Sequence, residues 1–276
     1  MSLAWMNALI TGASGGIGAA VADALLRHGA TTVLTGRNLH TLQELATSID
    51  PSHARTCSIA ADLTSATDRA RLCELSMSWR GGVNTLINIA GVADFGMFSS
   101  ALANDIDGAF EVNALAPMHL CRALLPHLLS RPRAHIVNVG SVFGTIAYPG
   151  HAVYSATKFA MRGFSEALRR ELSDTKVRVH YLAPRATRTT FNSRALEAYN
   201  ERFGITMDPP VRVATSLLEM LERDRAETVI GWPEKLFVRL NALLPRLVDR
   251  ALAKQVPTIR TCAASQDRSP ARVHPL

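Results

Sequence analysis

An α/β architecture is what this sequence predicts: a doubly wound, mostly parallel seven-stranded sheet with helices on both faces and a C-terminal amphipathic helical extension. Short apolar runs alternate with longer stretches of helical period over about 230 residues, the rhythm of strand–helix–strand units. Several of the runs are apolar nearly throughout, as is expected of strands buried on both faces of a parallel sheet. A chain of 276 residues that is 47% apolar and 19% charged can bury a substantial core, which excludes a disordered chain. Its 17 glycines show no three-residue period, which excludes collagen.

The first strand is Trp5–Ile10. Its apolar run lacks a basic leader and a cleavage site and meets a glycine cluster, so it reads as a strand and not as a signal peptide. A helix over Gly16–His28 leads to a second strand, Thr31–Thr35, and Leu39–Ile49 leads likewise to Ala54–Ala60. A helix at Thr64–Ser78 precedes the strand Thr85–Ile89, and a helix at Ala114–Leu129 precedes Ala134–Val139. The long helix Tyr154–Ser173 brings the chain to Val177–Leu182, and Thr228–Ile230 completes the seven. Residues 1–232 therefore read as one domain. Within it, residues 185–210 form a long connection of weak helical pattern ending in Asp208-Pro209-Pro210, the place of a substrate lid. Residues 258–276, rich in Pro, Ser and Arg, read as a disordered tail.

The formal net charge of +7 invites a nucleic-acid reading, but its location removes it. Residues 1–234 carry 22 Lys+Arg against 21 Asp+Glu, whereas 235–276 carry 8 against 2. The body is nearly neutral, so no nucleic-acid partner is expected. The excess lies in residues 235–276, which open with a basic amphipathic extension over residues 233–257. At about 100° per residue, Lys235, Arg239, Arg246, Arg250 and Lys254 share one arc of roughly 100°. Leu236, Phe237, Leu240, Leu243, Leu244, Leu247 and Val248 occupy the adjoining arc, with a kink or break expected at Pro245. Two partners fit such a segment: an anionic membrane surface over 235–254, or the protein body or a sister subunit. No run reaches 18 uninterrupted apolar residues, so no spanning helix is expected. Cys57, Cys73, Cys121 and Cys262 show no C-x-x-C pairing and no histidine at metal spacing, and read as reduced thiols of a cytoplasmic protein without a metal.

Two motifs carry chemistry. Thr11-Gly12-Ala13-Ser14-Gly15-Gly16-Ile17-Gly18 follows a strand and opens a helix, the context that gives a glycine-rich loop meaning. Gly12 permits the tight turn, Gly16 lets backbone approach a pyrophosphate, and Gly18 allows close helix–strand packing, with helix N–H groups facing the phosphate. The alternative is a plain turn using glycine for positive φ. The next strand ends Thr35-Gly36-Arg37, without the acid that would bond a ribose 2′-hydroxyl. Arg37 suits a 2′-phosphate, so NADP(H) is preferred to NAD, unless Arg37 is only a solvated charge.

The second motif, Tyr154-Ser155-Ala156-Thr157-Lys158, places Tyr154 and Lys158 on one helix face. An ammonium that close favours phenolate and is expected to lower the tyrosine pKa, making Tyr154 an acid for carbonyl reduction or a base for alcohol oxidation. Ser141, at a strand end thirteen residues earlier, faces the ligand crevice and can polarise a carbonyl. His151, three residues before Tyr154, could line the pocket but is read as a turn histidine, and Asp94 and Asp105 are read as solvated. Phe159, Met161 and Phe164 read as core or subunit-interface residues.

Taken together, the Gly12–Gly18 loop, Asp62-Leu63, Asn88-Ile89-Ala90-Gly91, Asn113, Ser141 and the Tyr154–Lys158 pair resemble the single-domain short-chain dehydrogenases/reductases over about residues 5–232. The resemblance implies a Rossmann-like fold and the following roles. Gly12, Ser14, Gly16, Ile17 and Gly18 would hold the cofactor, and Asp62 and Leu63 would border the adenine. Asn88, Ala90 and Gly91 would stabilise the sheet and line the cofactor. Asn113 would hold a water in a proton relay through Lys158, which also bonds the nicotinamide ribose. Tyr154 would be the acid/base and Ser141 the carbonyl anchor. Thr187 and Thr189 follow the sixth strand and would also hold the cofactor, Thr189 in the place where the family bonds the nicotinamide carboxamide. The family's usual glycine after proline is here Arg185, which is read as a surface charge or a contact for an acidic substrate. A homodimer or homotetramer is implied, formed through the helices after Asn113 and around Tyr154. The expected activity is NADP(H)-dependent hydride transfer to a small-molecule carbonyl or from a secondary alcohol. The alternatives are a membrane-surface reductase of lipid-like 3-oxoacyl substrates and a non-catalytic NADP(H) sensor or scaffold.

Overall fold

A computed structural model describes residues 2–189 and 194–264. The strands are β1 (Asn7–Thr11), β2 (Thr31–Gly36), β3 (Thr56–Ala60), β4 (Thr85–Asn88), β5 (Ala134–Val139), β6 (Val177–Ala183) and β7 (Glu227–Val229). They form one sheet in the order β3-β2-β1-β4-β5-β6-β7. All six pairings are parallel, as the expected doubly wound sheet requires. Helices α1 (Gly16–Arg27), α2 (Leu39–Ile49) and α3 (Ala66–Ser78) connect the first half. In the second half come α4 (Ala103–Phe110), α5 (Ala116–Leu129), α6 (Ala152–Glu171), α7 (Arg194–Arg202) and α8 (Pro210–Glu222).

Local chemistry sets the helix starts. Asn38 accepts from the His40 and Thr41 N–H groups at 2.9 and 3.3 Å to begin α2, and Ser65 accepts from Asp68 N at 3.2 Å to begin α3. Pro210 occupies the first turn of α8, where its missing N–H costs nothing. By contrast α1 begins on Gly15 with no side-chain cap and no acid in its first turn, which leaves its N–H groups facing the crevice.

Every β1 residue is buried, because the sheet is covered twice. Ala8 and Ile10 pack with Val21 and Leu25 of α1 and Leu217 and Met220 of α8. Leu9 points the other way, into a cluster with Leu86, Ile136, and Leu120 and Leu124 of α5. The strand order reverses between β1 and β4, so the connections diverge there and open a crevice at the strand C-termini.

Three parts refine or correct the expectation. The helix expected from Ala114 is preceded by α4 and joined to it by a π turn, Glu111–Leu115. The long 185–210 connection contains α7, while residues 190–193 lie outside the described residues. The extension is three helices, α9 (Glu234–Leu243), α10 (Pro245–Ala253) and α11 (Val256–Ala264), with the break at Leu244-Pro245. The tail expected to be disordered from 258 is therefore helical through 264, because Ile259 is buried against Phe95 and Tyr199. Residues 265–276 lie outside the described residues. Among the described residues, no helix is long and apolar enough to cross a membrane.

Candidate active site

The crevice holds a cavity of about 430 Å³, within the range of small-molecule sites. The glycine loop forms one wall, with Gly12, Gly16, Ile17 and Gly18 in the lining. Gly12 sits at φ +65°, and a Cβ there would meet Ala90 Cα at 2.8 Å. At Gly18 a Cβ would lie 2.1 Å from the Gly12 carbonyl oxygen, so α1 can pack on the turn only with glycine. Ser14 is placed outside the lining and packs under Gly36, where an added Cβ would approach Ser14 Oγ at 3.1 Å.

A second cavity of about 230 Å³ is lined by Gly36, Arg37, Asp62 and Leu63. Both cavities share Gly12, Ala90 and Gly91, so one cleft spans the switch point from β2 to β6. Arg37 is exposed at its surface, yet partial burial lowers its pKa, with Asp62 opposing the shift. Asp62 Oδ1 accepts from Thr64 N and Thr64 Oγ at 2.9 and 2.8 Å, which turns the chain under this end. The elongated cleft, the uncapped α1 N-terminus and the glycine surface fit a dinucleotide: Gly12, Gly16 and Ile17 at its middle, Arg37, Asp62 and Leu63 at one end.

Asn88 lies beneath the cleft and donates to Asn138 Oδ1 at 2.8 Å, and Asn138 donates to Ser165 Oγ at 2.9 Å. This buried chain ties β4, β5 and α6 together. Thr11 Oγ accepts from the N–H groups of Ile89 and Ala90 at 3.0 and 3.1 Å, fixing the segment that borders the cleft. Thr11, Asn138 and Ser165 were not singled out from sequence. Thr11 shows only as the first residue of the glycine motif, Asn138 as a polar residue in a strand, and Ser165 as one polar residue among several on a helix.

At the other end Ser141, Tyr154 and Lys158 converge in the lining. Ser141 hydrogen-bonds the Tyr154 hydroxyl, and Lys158 Nζ lies 5.5 Å from the Tyr154 ring centre. The expected lowering of the tyrosine pKa does not occur: burial pushes Tyr154 up to about 12, with the Ser141 bond opposing it. The same burial pushes Lys158 down to about 8, so the ammonium is itself disfavoured. Helical spacing reported proximity; the dielectric cost of a closed pocket was invisible to it. Lys158 Nζ donates to the Val139 carbonyl at 3.4 Å.

Asn113 sits in the π turn, a distortion frequent at functional sites. Its Oδ1 accepts from Val92 N at 2.7 Å, and its Nδ2 donates to Val92 O and Thr157 Oγ at 2.8 and 3.1 Å. The side chain thus clamps the end of β4 to α6 next to Lys158. Tyr181 is a further support that sequence reasoning missed. Its hydroxyl lies 3.4 Å from the Ser141 N–H, Ser141 O and Lys158 O, beneath both catalytic candidates.

His151 corrects a sequence expectation. It is buried, 2% exposed, immediately before α6, and lines the cavity instead of an open turn. Its Nδ1 donates to Asp94 O at 2.8 Å, and burial drives its pKa down to about 4, so the ring is neutral. Asp94, expected to be solvated, is half-buried, and burial followed by Asp105 raises its pKa.

Arg185 is the second correction. It is neither a surface charge nor free for a substrate. Its Nε and Nη2 donate to the two Asp208 oxygens at 2.8 Å each, and Nη1 donates to Glu234 Oε1 at 3.3 Å. This clamp joins the β6 exit to the starts of α8 and α9. It holds the loop whose Thr187 and Thr189 line the cavity.

Comparison with known proteins agrees with this geometry. The family profile for short chain dehydrogenase matches residues 6–200. The uncharacterized oxidoreductase YxnA of Bacillus subtilis is 32% identical over 253 residues, covering 89% of this chain and 71% of that protein. Dehydrogenase/reductase SDR family member 7B of Bos taurus is 29% identical over 260 residues, covering 90% and 80%. A short-chain dehydrogenase from Sphingobium yanoikuyae, solved in complex with NADPH, superposes with a TM-score of 0.74 at 29% identity, covering 88% of this chain and 95% of that one. A Burkholderia phymatum short chain dehydrogenase/reductase solved with NAD shares the fold, with a TM-score of 0.80 at 24% identity, covering 88% and 94%. The match over most of the chain, on this sheet and this cleft, shows that the protein belongs to the short-chain dehydrogenase/reductase family of oxidoreductases.

Proposed function

We propose that this protein is an NADP(H)-dependent reductase of small-molecule carbonyls, able to run in reverse on secondary alcohols. The observation that carries the reading is the convergence of Ser141, Tyr154 and Lys158 at one end of a cleft whose other end is lined by Arg37. When bound, the nicotinamide supplies the hydride. The chain's own residues do the rest. Ser141 donates to the substrate oxygen while Tyr154 delivers a proton to it. A phenol held at about 12 stays protonated through the neutral range, which suits the reductive direction. The ammonium of Lys158 eases the phenolate that remains.

Preference for NADP(H) over NAD rests on Arg37 at the end of β2 in a position with no acid, where a bidentate guanidinium meets a 2′-phosphate. Two relatives of known structure point both ways, one holding NADPH and one NAD. A homo-oligomer through α5 and α6 is supported by the exposed apolar Leu129 and Phe159 on those helices. A cytoplasmic location is supported by four free cysteines. The test is NADPH consumption over a panel of ketones and aldehydes. Wild-type turnover with loss of at least a thousandfold in Tyr154→Phe is expected. A Tyr154→Phe variant with full activity would falsify the assignment.

A further inference from the structure

The extension divides its labour. Helix α11 packs back on the body: Ile259 is fully buried with Phe95 and Tyr199, and Gln255 accepts from the Tyr148 hydroxyl. Helix α9 is pinned beside the cavity by the Glu234–Arg185 bond and by Asn241 Nδ2 donating to Thr145 O at 3.1 Å. Yet α9 and α10 bury none of their residues. Trp232 is 73% exposed and Leu243 78% exposed, and Leu236, Phe237, Leu244 and Leu247 are exposed beside them. Scattered apolar side chains on a surface need no explanation, but six large ones within sixteen residues do.

Cations are interleaved with these side chains. Lys235 and Arg239 share the exposed side of α9 with Leu236 and Leu243, and Arg246 and Arg250 flank Leu247 on α10. Residues 235–254 hold five cations and a single acid, Asp249. None of the five cations forms an ion pair among the described residues. Long cationic side chains beside exposed leucines can reach up to headgroups while the leucines enter the acyl boundary. Phe237 belongs to both surfaces: it lines the cavity and is exposed on α9.

We infer that α9 and α10, with Trp232, form a docking surface for anionic lipid, which sets the mouth of the cavity against the bilayer. A second copy meeting this face with its own would set five cations against five cations with only Asp249 to offset them. A phosphatidylserine-bearing surface supplies those charges over the whole area. The consequence for the cavity is entry of lipophilic carbonyls from the lipid side, a clause that rests on the reductase reading. The docking itself does not, and it is tested without turnover.

Full-length protein is co-sedimented with vesicles of phosphatidylcholine alone and of phosphatidylcholine with 30% phosphatidylserine, a composition chosen to approximate an anionic leaflet. Binding to the anionic vesicles, at least tenfold weaker binding to neutral ones, and release by salt are expected. Two variants at exposed positions, Arg246→Gln/Arg250→Gln and Leu243→Gln/Leu247→Gln, each weaken partition by roughly tenfold or more while keeping the wild-type circular dichroism. Trp232 emission shifts to the blue and is quenched by nitroxide-labelled acyl chains, and Trp232→Phe removes that signal. The inference is overturned if wild-type protein stays in the supernatant, or if both variants bind like wild type. It is equally overturned if the leucine variant dissociates an oligomer and no vesicle binding accompanies it, which would make this face a contact between copies.

Discussion

Asp208 is the residue whose removal tests how the β6 exit is held. Its side chain is 4% exposed and takes two 2.8 Å bonds from Arg185, which is 18% exposed and keeps a third contact to Glu234. Asp208→Asn preserves shape but removes the charge and one of the two acceptors. Breaking a buried pair costs about 3–5 kcal/mol, and an exposed one about 0–1 kcal/mol. Glu234 still neutralises Arg185, so the cost falls between these limits, at about 2 kcal/mol. For a chain of this size that is a fall in Tm of roughly 4–8 °C. Thermal unfolding of Asp208→Asn, Arg185→Met and the double variant gives the coupling, expected at about 1–2 kcal/mol. The loop also presents Thr187 and Thr189 to the cavity, so KM for the nicotinamide cofactor rises more than kcat falls. A Tm within a degree of wild type, with additive single effects, refutes the clamp.

The remaining outcomes concern cofactor choice, pH and support of the site. Arg37→Asp is expected to reverse the NADPH-to-NADH preference in kcat/KM by at least tenfold, read from the ratio of the two cofactors; an unchanged ratio removes Arg37 from the 2′-phosphate site. His135 and His151 are held neutral by burial, at about 3 and about 4, so the unfolded chain binds more protons than the folded one below its own value near 6.5. Stability is therefore complete above about pH 6.5 and falls as pH drops toward 5, by roughly 2 kcal/mol for each ring. The Tm of His135→Gln should depend less steeply on pH over that window, and a slope identical to wild type contradicts the assignment. Tyr181→Phe removes a hydroxyl packed among Ser141 and Lys158 backbone atoms, and is expected to lower kcat several-fold with KM little changed. A variant kinetically equal to wild type shows that the Ser141 turn holds itself.

Much of the site was legible because its residues occupy fixed places in a repeating pattern. Ser141 follows a strand, Tyr154 and Lys158 share a helical face, and Gly12 and Gly18 open a helix after a strand. Each position follows from element order alone. Tyr181 and Asn138 are hidden within strand runs and Ser165 on the face of a long helix, and a polar residue there carries no mark of what it faces. His151 was misjudged because sequence placed it at a turn without showing that Phe95 and Phe143 close around it.

The sequence fixes chain order, period and composition. From these came the seven parallel strands, the glycine loop, the tyrosine–lysine pair and the charge gathered at the C-terminus. Distance between remote segments and exclusion of water belong to tertiary structure. Only there does Arg185 meet Asp208 and Glu234, 23 and 49 residues away. Only there does burial outweigh the proximity of Lys158 and lift the Tyr154 pKa. The extension shows both halves: its amphipathic pattern is local and readable, but which turns pack inward was decided by the body. Ile259 found the apolar surface of Phe95 and Tyr199, while Leu236, Leu243, Leu244 and Leu247 found none and remained exposed.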